Sequence, residues 1–220
     1  MTPCRVIAMD GPAASGKSTV ARLLADRLDF ALVNSGAFYR AIAWVLLQES
    51  GHSVTSEEDT ARKILESTNI EVVFEGRSAR LSLNGQNPTP HLREPGVNAH
   101  VSVISQFPFV RNLLGDIFHS LAAERDCVVE GRDIGTCVFP DTPYKFYIDA
   151  SPEERQRRRA AEGQTDRVAE RDRRDSLRAV APLTAAPDAL RIDTTHLGIE
   201  EVLERALAHL AAAGVRPQGT

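Results

Sequence analysis

Short apolar runs alternate with amphipathic stretches along most of the chain. Helical spacing of apolar positions predicts helices over residues 17–29, 37–47, 56–67, 108–125 and 199–210, and a Ser-Pro-Glu-Glu start predicts another from residue 151. The apolar runs predict buried strands at residues 5–9, 30–33, 127–130, 144–149 and 190–193. Strands that alternate with helices predict a parallel sheet covered by helices on both faces.

This alternation is interrupted between residues 69 and 104. Residues 69–74 and 79–83 alternate apolar with polar side chains, and a short Gly-containing link joins them, which predicts a β-hairpin. We expect residues 69–104 to form a small inserted subdomain that is not part of the main sheet.

A glycine-rich loop follows the first predicted strand and precedes the first predicted helix. Residues 11–18 match the G-x-x-x-x-G-K-S motif of a phosphate-binding loop. Such a loop wraps an anion with its N–H groups, while the lysine reaches the β- and γ-phosphates of ATP and the serine hydroxyl binds Mg²⁺. The residues predicted to bind ATP are Gly11, Pro12, Ala13, Ala14, Ser15, Gly16, Lys17, Ser18 and Thr19, with Ser18 as the Mg²⁺ ligand.

Three further segments follow predicted strands directly. They are residues 34–36, residues 131–133 and the residues after Asp149. Because ligands of open α/β sheets bind beyond the carboxyl ends of the strands, we expect these segments and the phosphate-binding loop to meet at one crevice.

The composition narrows the class of protein. A chain of 220 residues that is 42% hydrophobic fits one domain, residues 1–220, and its net charge of −4 argues against a nucleic-acid binder. The three cysteines lack metal-ligand spacing, and Cys127 and Cys137 lie in apolar segments, so we expect them to be core thiols of a reducing compartment. No leader or membrane-spanning run is evident, so we expect a cytoplasmic protein without a membrane partner.

Arginines occupy the positions where a second, anionic substrate would bind. Arg132 follows a buried strand directly, and Arg40 and Arg111 lie near helix starts. Residues 155–178 hold nine arginines, and residues 153–178 hold seven acidic residues. This segment fits either a surface helix with many salt bridges or a mobile flap that closes arginines over phosphates.

Several longer motifs resemble those of bacterial cytidylate kinases, over nearly the whole chain. They are residues 7–19, 35–40, 130–136, 138–141, 149–155, 171–175 and 178–183, of which GRDIGT and RAVAPL are the most specific. The resemblance implies an α/β fold of the P-loop NTPase class. It has a parallel sheet flanked by helices, a small mixed α/β monophosphate-binding insertion at about residues 69–104, and a short Arg-rich lid at about residues 157–170.

The resemblance also implies an activity and a set of site residues. The activity is transfer of the γ-phosphoryl group of ATP to CMP or dCMP, with Mg²⁺, by a monomer that has small nucleotides as its partners. The residues implied to bind CMP are Ser35, Arg40, Ser102, Arg111, Arg132, Asp133, Arg171, Asp175 and Arg178. The residues expected to act on the transferring group are Lys17, Arg132, Arg155, Arg158 and Arg159.

The chemistry of cytosine fits this set. A carboxylate such as Asp133 accepts a hydrogen bond from the exocyclic amino group, which uracil replaces with a carbonyl. Two other functions stay open at this point. One is a kinase with a different acceptor, such as UMP or a small alcohol, and the other is an ATPase switch without an acceptor.

The chain departs from the family pattern at four places. Asn34 stands where aspartate is common, and Phe109 stands where a polar residue is usual. The segment before Phe107 is one residue longer than usual, so Ser105 is an alternative to Ser102 as the base-contacting serine. The lid between Arg159 and Arg171 is shorter than usual.

Overall fold

The computed structural model describes residues 4–50, 58–161 and 181–216. Its strands are β1 (Val6–Asp10), β2 (Ala31–Asn34), β3 (Ile70–Glu75), β4 (Ser78–Leu83), β5 (Cys127–Gly131), β6 (Tyr144–Asp149) and β7 (Leu190–Asp193). Its α-helices are α1 (Lys17–Leu28), α2 (Ser35–Glu49), α3 (Glu58–Ser67), α4 (Pro95–Ile104), α5 (Pro108–Glu124), α6 (Pro152–Ala161) and α7 (Ile199–Ala212). A 3₁₀ turn (Thr89–His91) and a π turn (Ile134–Val138) complete the described elements. None of the described helices has the length and apolar character needed to cross a membrane.

Two compact units make up the chain, and the first consists of Met1–Leu32 and Ala122–Thr220. Its strands lie in the order β2–β5–β1–β6–β7, and β1 pairs in parallel with both β5 and β6. Asp10 at the end of β1 lies opposite Gly131 on one side and Tyr147 on the other. The carboxyl ends of these three parallel strands therefore share one edge, as the sequence predicts for this unit.

Apolar faces of two helices cover this sheet. Helix α1 buries Val20, Leu24 and Leu28 at helical spacing, and α7 buries Val202, Leu203, Ala206 and Leu210. They pack with the strand residues Ile7, Met9, Val128, Phe146, Ile148 and Ile192 in one cluster. Each large side chain buried in this way contributes about 1.5–3 kcal/mol to folding, so this core holds the strand ends in place.

The second unit is Val33–Leu121. Strands β3 and β4 pair antiparallel, with Val72 opposite Leu81, which confirms the predicted hairpin. The prediction that this hairpin is not part of the main sheet is wrong, because β4 is the neighbour of β2. Strand β4 buries Ala79, Leu81 and Leu83 and keeps its other residues half-buried, and this alternation suits a strand with one face on a core.

Helix α2 begins earlier than the sequence predicts. The predicted start at residue 37 is two residues late, because Ser35 and Gly36 are the first helical residues. The cause is Asn34, whose side-chain oxygen accepts a hydrogen bond from the Ala37 N–H at 2.9 Å and so caps the helix.

The cysteine prediction is confirmed in part. Cys127 is buried in β5, and burial raises the pKa of its thiol to about 12, as for an inert core thiol. Cys137 is exposed, so its assignment to the core is wrong. It belongs to the π turn, where Ile134 and Gly135 are the buried residues, so apolar sequence neighbours did not indicate burial at this position.

Candidate active site

The phosphate-binding loop joins β1 to α1, in the strand–loop–helix context that the sequence predicts. Gly11 has a φ of 152°, and a Cβ there would lie 2.0 Å from the Ile148 carbonyl oxygen of β6. Gly16 precedes α1 with a φ of 89°. Both positions therefore need glycine, one for close approach to a neighbouring strand and the other for a left-handed turn.

Lys17 is the first residue of α1, and its side chain is buried. It is 6% exposed, and its ammonium group donates a hydrogen bond to the Pro12 carbonyl oxygen at 3.1 Å. The side chain thus folds back over the loop, which keeps its charge beside the loop backbone. An arrangement of this kind suits binding of the β- and γ-phosphates of a nucleotide.

Ser18 pairs with an acidic residue that the sequence analysis did not select. The Ser18 hydroxyl donates a hydrogen bond to Glu130 Oε2 at 2.8 Å, and Glu130 is only 3% exposed. Glu130 is the fourth residue of the buried strand β5. An acidic residue within a buried apolar strand was the sequence signal that could have identified it. A hydroxyl beside a carboxylate is an oxygen-donor set of the type that Mg²⁺ uses together with substrate phosphates.

Two arginines of α6 bind the loop backbone. Arg155 Nη1 lies 3.4 Å from the Ala13 carbonyl oxygen, and Arg158 Nη1 lies 3.2 Å from the Ser15 carbonyl oxygen. Arg158 also donates to Glu154 at 2.8 Å. Hydrogen bonds from Arg157 and Arg158 lower the pKa of Glu154 to about 2. Arg159, also on α6, is half-buried.

Thr194 was missed by sequence reasoning because nothing in its local motif indicates a long-range role. Its hydroxyl lies 2.9 Å from the Ser15 carbonyl oxygen and 3.0 Å from the Asp149 carbonyl oxygen, and it accepts a hydrogen bond from Arg158 Nη1 at 3.0 Å. The side chain is buried. Thr194 therefore joins the phosphate-binding loop to the ends of β6 and β7.

We expect Thr194→Val to lower the free energy of unfolding by about 1–2 kcal/mol, because it removes the hydrogen bonds that a buried hydroxyl makes with the Ser15 and Asp149 carbonyl groups and with Arg158. Urea unfolding measures this change. The matched control is Thr89→Val at an exposed position, for which we expect almost no change. Equal unfolding midpoints for the two variants would contradict the assigned role.

Asp10 is a buried carboxylate at the end of β1. It is 3% exposed, and it accepts hydrogen bonds from the N–H groups of Ile134 at 2.8 Å and Gly135 at 2.7 Å. Burial raises the pKa of Asp10 to about 6, even though these two hydrogen bonds oppose the shift. The folded-state pKa exceeds the ordinary value, so the stability associated with Asp10 declines as pH rises between about 4 and about 6.

Arg132 and Asp133 follow β5 in the first unit. Arg132 is half-buried, with Nη1 3.4 Å from the Gly131 carbonyl oxygen. Asp133 is 5% exposed and directly precedes the π turn. Both residues thus lie just beyond the carboxyl end of β5. The phosphate-binding loop begins beside them, because Asp10 at the end of β1 is paired with Gly131.

The other described residues predicted to bind CMP belong to the second unit. Arg40 donates to the Gly36 carbonyl oxygen at 3.0 Å, and Arg111 lies 3.4 Å from the Ser105 carbonyl oxygen. The Ser105 hydroxyl is buried and donates to the Ser102 carbonyl oxygen at 3.1 Å, whereas Ser102 is half-buried. Ser35 is the buried first residue of α2. Arg171, Asp175 and Arg178 lie outside the described residues, as does the part of the predicted lid beyond Ala161.

Two departures from the family pattern have a structural explanation. Asn34 caps α2 with its amide oxygen, and an aspartate oxygen would accept the same hydrogen bond. The Phe109 ring stacks on Phe107 with centroids 6.0 Å apart, and the Arg62 guanidinium lies 4.6 Å above it. An aromatic residue at position 109 thus packs against neighbours of its own unit.

Comparison with known proteins identifies the family. The sequence profile of the family described as cytidylate kinase matches residues 7–212. A cytidylate kinase of Pseudomonas savastanoi is 41% identical over 225 residues, covering 96% of each chain. A cytidylate kinase of Haemophilus ducreyi is 39% identical over 217 residues, covering 94% of this chain and 96% of the relative. With a phosphate-binding loop built as described above and this extent of similarity, the chain belongs to the cytidylate kinase family.

Proposed function

We propose that this chain transfers the γ-phosphoryl group of ATP to CMP or dCMP, giving ADP and CDP or dCDP. The observation that carries the proposal is the phosphate-binding loop of residues 11–16, with Lys17 folded over it, in a chain that belongs to the cytidylate kinase family. Transfer of this kind depends on positioning and on charge stabilisation, and it needs no dedicated general base.

On the donor side we assign ATP to residues 11–19. The loop N–H groups and the positive end of α1 bind the phosphates, and Lys17 compensates the charge of the β- and γ-phosphates. Ser18 and Glu130 fit Mg²⁺ through a hydroxyl and a carboxylate oxygen, which are 2.8 Å apart. When bound, Mg²⁺ neutralises phosphate charge during the transfer.

On the acceptor side the assignment rests on residues at positions that match the family motifs. Asp133 accepts the cytosine amino group, and Arg111 with Ser102 or Ser105 donates to the ring acceptors. Arg40 and Arg132 bind the acceptor phosphate through bidentate hydrogen bonds. Asp175 accepts from a ribose hydroxyl. The remaining residues assigned to the acceptor are Ser35, Arg171 and Arg178.

The arginines of α6 have two tasks in this proposal. Arg155 and Arg158 hold the Ala13 and Ser15 carbonyl groups, and this contact keeps the loop N–H groups directed at the anion. Arg158 and Arg159 lie at the start of the proposed lid, residues 157–170, and together with Arg155 they are assigned to the transferring phosphoryl group. Arginine suits both tasks because its planar guanidinium donates in several directions and stays charged.

We further propose a monomer that acts in the cytoplasm on small nucleotides of pyrimidine metabolism. Its partners are ATP, CMP and dCMP, and neither nucleic acid nor a membrane is among them. A net charge of −4 supports the exclusion of nucleic acid, since such binding relies on a positively charged surface.

The deciding experiment is an assay of ADP release with Mg²⁺-ATP against a panel of nucleoside monophosphates. We expect CMP and dCMP to stimulate release at least tenfold more than UMP, AMP or GMP at equal concentration. Equal rates with CMP and UMP would favour a broader pyrimidine kinase. Slow ATP hydrolysis that no monophosphate stimulates would favour an ATPase switch and contradict the proposal.

A further inference from the structure

Asp10 makes contacts that the proposed function does not use. Both of its carboxylate oxygens accept backbone hydrogen bonds, Oδ1 from Ile134 and Oδ2 from Gly135. These residues lie more than 120 positions away in sequence, in the π turn that follows β5. A carboxylate at the end of one strand therefore holds the segment that leaves the neighbouring strand.

The π turn needs such a partner. Its internal hydrogen bonds run from the N–H groups of Cys137 and Val138 to the Asp133 carbonyl oxygen and from Phe139 to Ile134. The first N–H groups of any helical turn have no acceptor within the turn, and a negative charge is favourable beside them. Asp10 supplies both the acceptor oxygens and the negative charge. It does so from β1, whereas a helix cap usually comes from the residue that precedes the helix.

Asp133 is the residue that this arrangement fixes. Its carbonyl group accepts the two hydrogen bonds from the turn, and the N–H of the next residue, Ile134, donates to Asp10. The backbone of Asp133 is therefore held on its carboxyl side by contacts to the turn and to β1. The Asp133 side chain is buried, so its orientation is set by the position of its backbone.

The turn also lies tightly against Asp10. A Cβ added to Gly135 would be 3.2 Å from Lys145 Cδ and 3.4 Å from Asp10 Oδ2. A carboxylate buried in this way carries a desolvation cost that an apolar residue would avoid. The raised pKa of Asp10 reflects that cost, and the charges of Asp133 and Lys17 act on the same carboxylate in opposite directions.

We propose that Asp10 is a positioning residue that aligns Asp133 with the phosphate-binding loop, which begins at the next residue, Gly11. Asp10 thus connects the phosphate-binding loop, which follows it in the chain, to Asp133, the residue assigned to the cytosine amino group. The inference rests on the proposed role of Asp133 in recognising cytosine.

The test is Asp10→Asn, which keeps the shape of the side chain but replaces one acceptor oxygen with an amino group that opposes a backbone N–H. We expect kcat/KM for CMP to fall by about tenfold or more and the ratio of kcat/KM for CMP to that for UMP to fall in parallel. We expect the KM for ATP to change by less than about twofold. A loss of stability alone would lower the amount of active protein and leave the CMP to UMP ratio unchanged.

Gly135→Ala perturbs the same contact from the side of the turn. We expect it to fold, because the added Cβ would lie 3.2 Å from Lys145 Cδ and 3.4 Å from Asp10 Oδ2, distances that need shifts of only a few tenths of an ångström, and to lower the CMP to UMP ratio in the same direction. The matched control is Asp116→Asn at an exposed position of α5, for which we expect wild-type kinetics. If Asp10→Asn does not fold, Gly135→Ala decides the question.

The outcomes separate this inference from the proposed function. An unchanged CMP to UMP ratio in Asp10→Asn, or in Gly135→Ala where only that variant folds, overturns the positioning role. An equal rise in the KM for ATP and in the KM for CMP also overturns the positioning role. The contact between Asp10 and the π turn would then support both substrate sites rather than Asp133 in particular. If Asp133→Asn leaves the ratio unchanged, the assignment of Asp133 fails, and the inference fails with it.

Discussion

Replacement of Lys17 by Met is expected to lower kcat by about two to three orders of magnitude. The ammonium group donates to the Pro12 carbonyl oxygen of the loop, and the residue is 6% exposed, so water screens its charge only weakly. Methionine keeps the length and most of the volume of the stem, so the α1 packing is preserved. The lost Pro12 contact costs the fold only about 1 kcal/mol.

The measurement is steady-state kinetics with saturating CMP and varied Mg²⁺-ATP, together with thermal unfolding to show that the variant is folded. Lys63→Met is the matched control, because Lys63 is an exposed lysine of α3. We expect this control to have the kcat of the wild type. A Lys17→Met enzyme that retains more than about a tenth of the wild-type kcat would contradict the charge-stabilising role.

The elements that the sequence predicted best are those with a local cause. Helix α1 follows from glycines at 11 and 16 and from apolar positions at helical spacing, and the hairpin β3–β4 follows from alternation around a short link. The start of α6 follows from Ser151, whose hydroxyl accepts from the Glu154 N–H at 3.2 Å. In each case the residues that decide the structure are within a few positions of one another.

The site residues that sequence reasoning missed act over long distances. Glu130 meets Ser18, and Thr194 meets Ser15, across separations of 112 and 179 residues. No spacing rule connects such positions, since the contacts arise only when parallel strands bring their carboxyl ends together. The error at Cys137 has a related origin, because burial in an irregular turn depends on the element that packs against it.

Side chains of the first unit hold the phosphate-binding loop by its carbonyl groups. Carbonyl groups of the phosphate-binding loop are bound by Lys17, Arg155, Arg158 and Thr194. Donors on these carbonyl groups fix the peptide planes of the loop. The loop is therefore held in place before a nucleotide binds, which reduces the conformational entropy lost on binding.

Replacement of Asp133 by Asn is expected to reduce the preference for CMP over UMP about a hundredfold. In the proposed acceptor site this carboxylate accepts from the cytosine amino group, and it would oppose the carbonyl that uracil carries at the same position. Because Asp133 is 5% exposed, water cannot relieve that opposition, and a buried mismatch of this kind costs about 3 kcal/mol. The asparagine amide can offer either its oxygen or its amino group, so it accommodates both bases.

The measurement is kcat/KM for CMP and for UMP in the same assay of ADP release. We expect the value for UMP to rise or stay constant while the value for CMP falls, because the variant loses an attraction to one base and a repulsion toward the other. Asp141→Asn serves as the matched control at an exposed position nearby in the sequence, and we expect it to retain the wild-type preference. A preference in Asp133→Asn within about threefold of the wild type would assign cytosine recognition to residues other than Asp133.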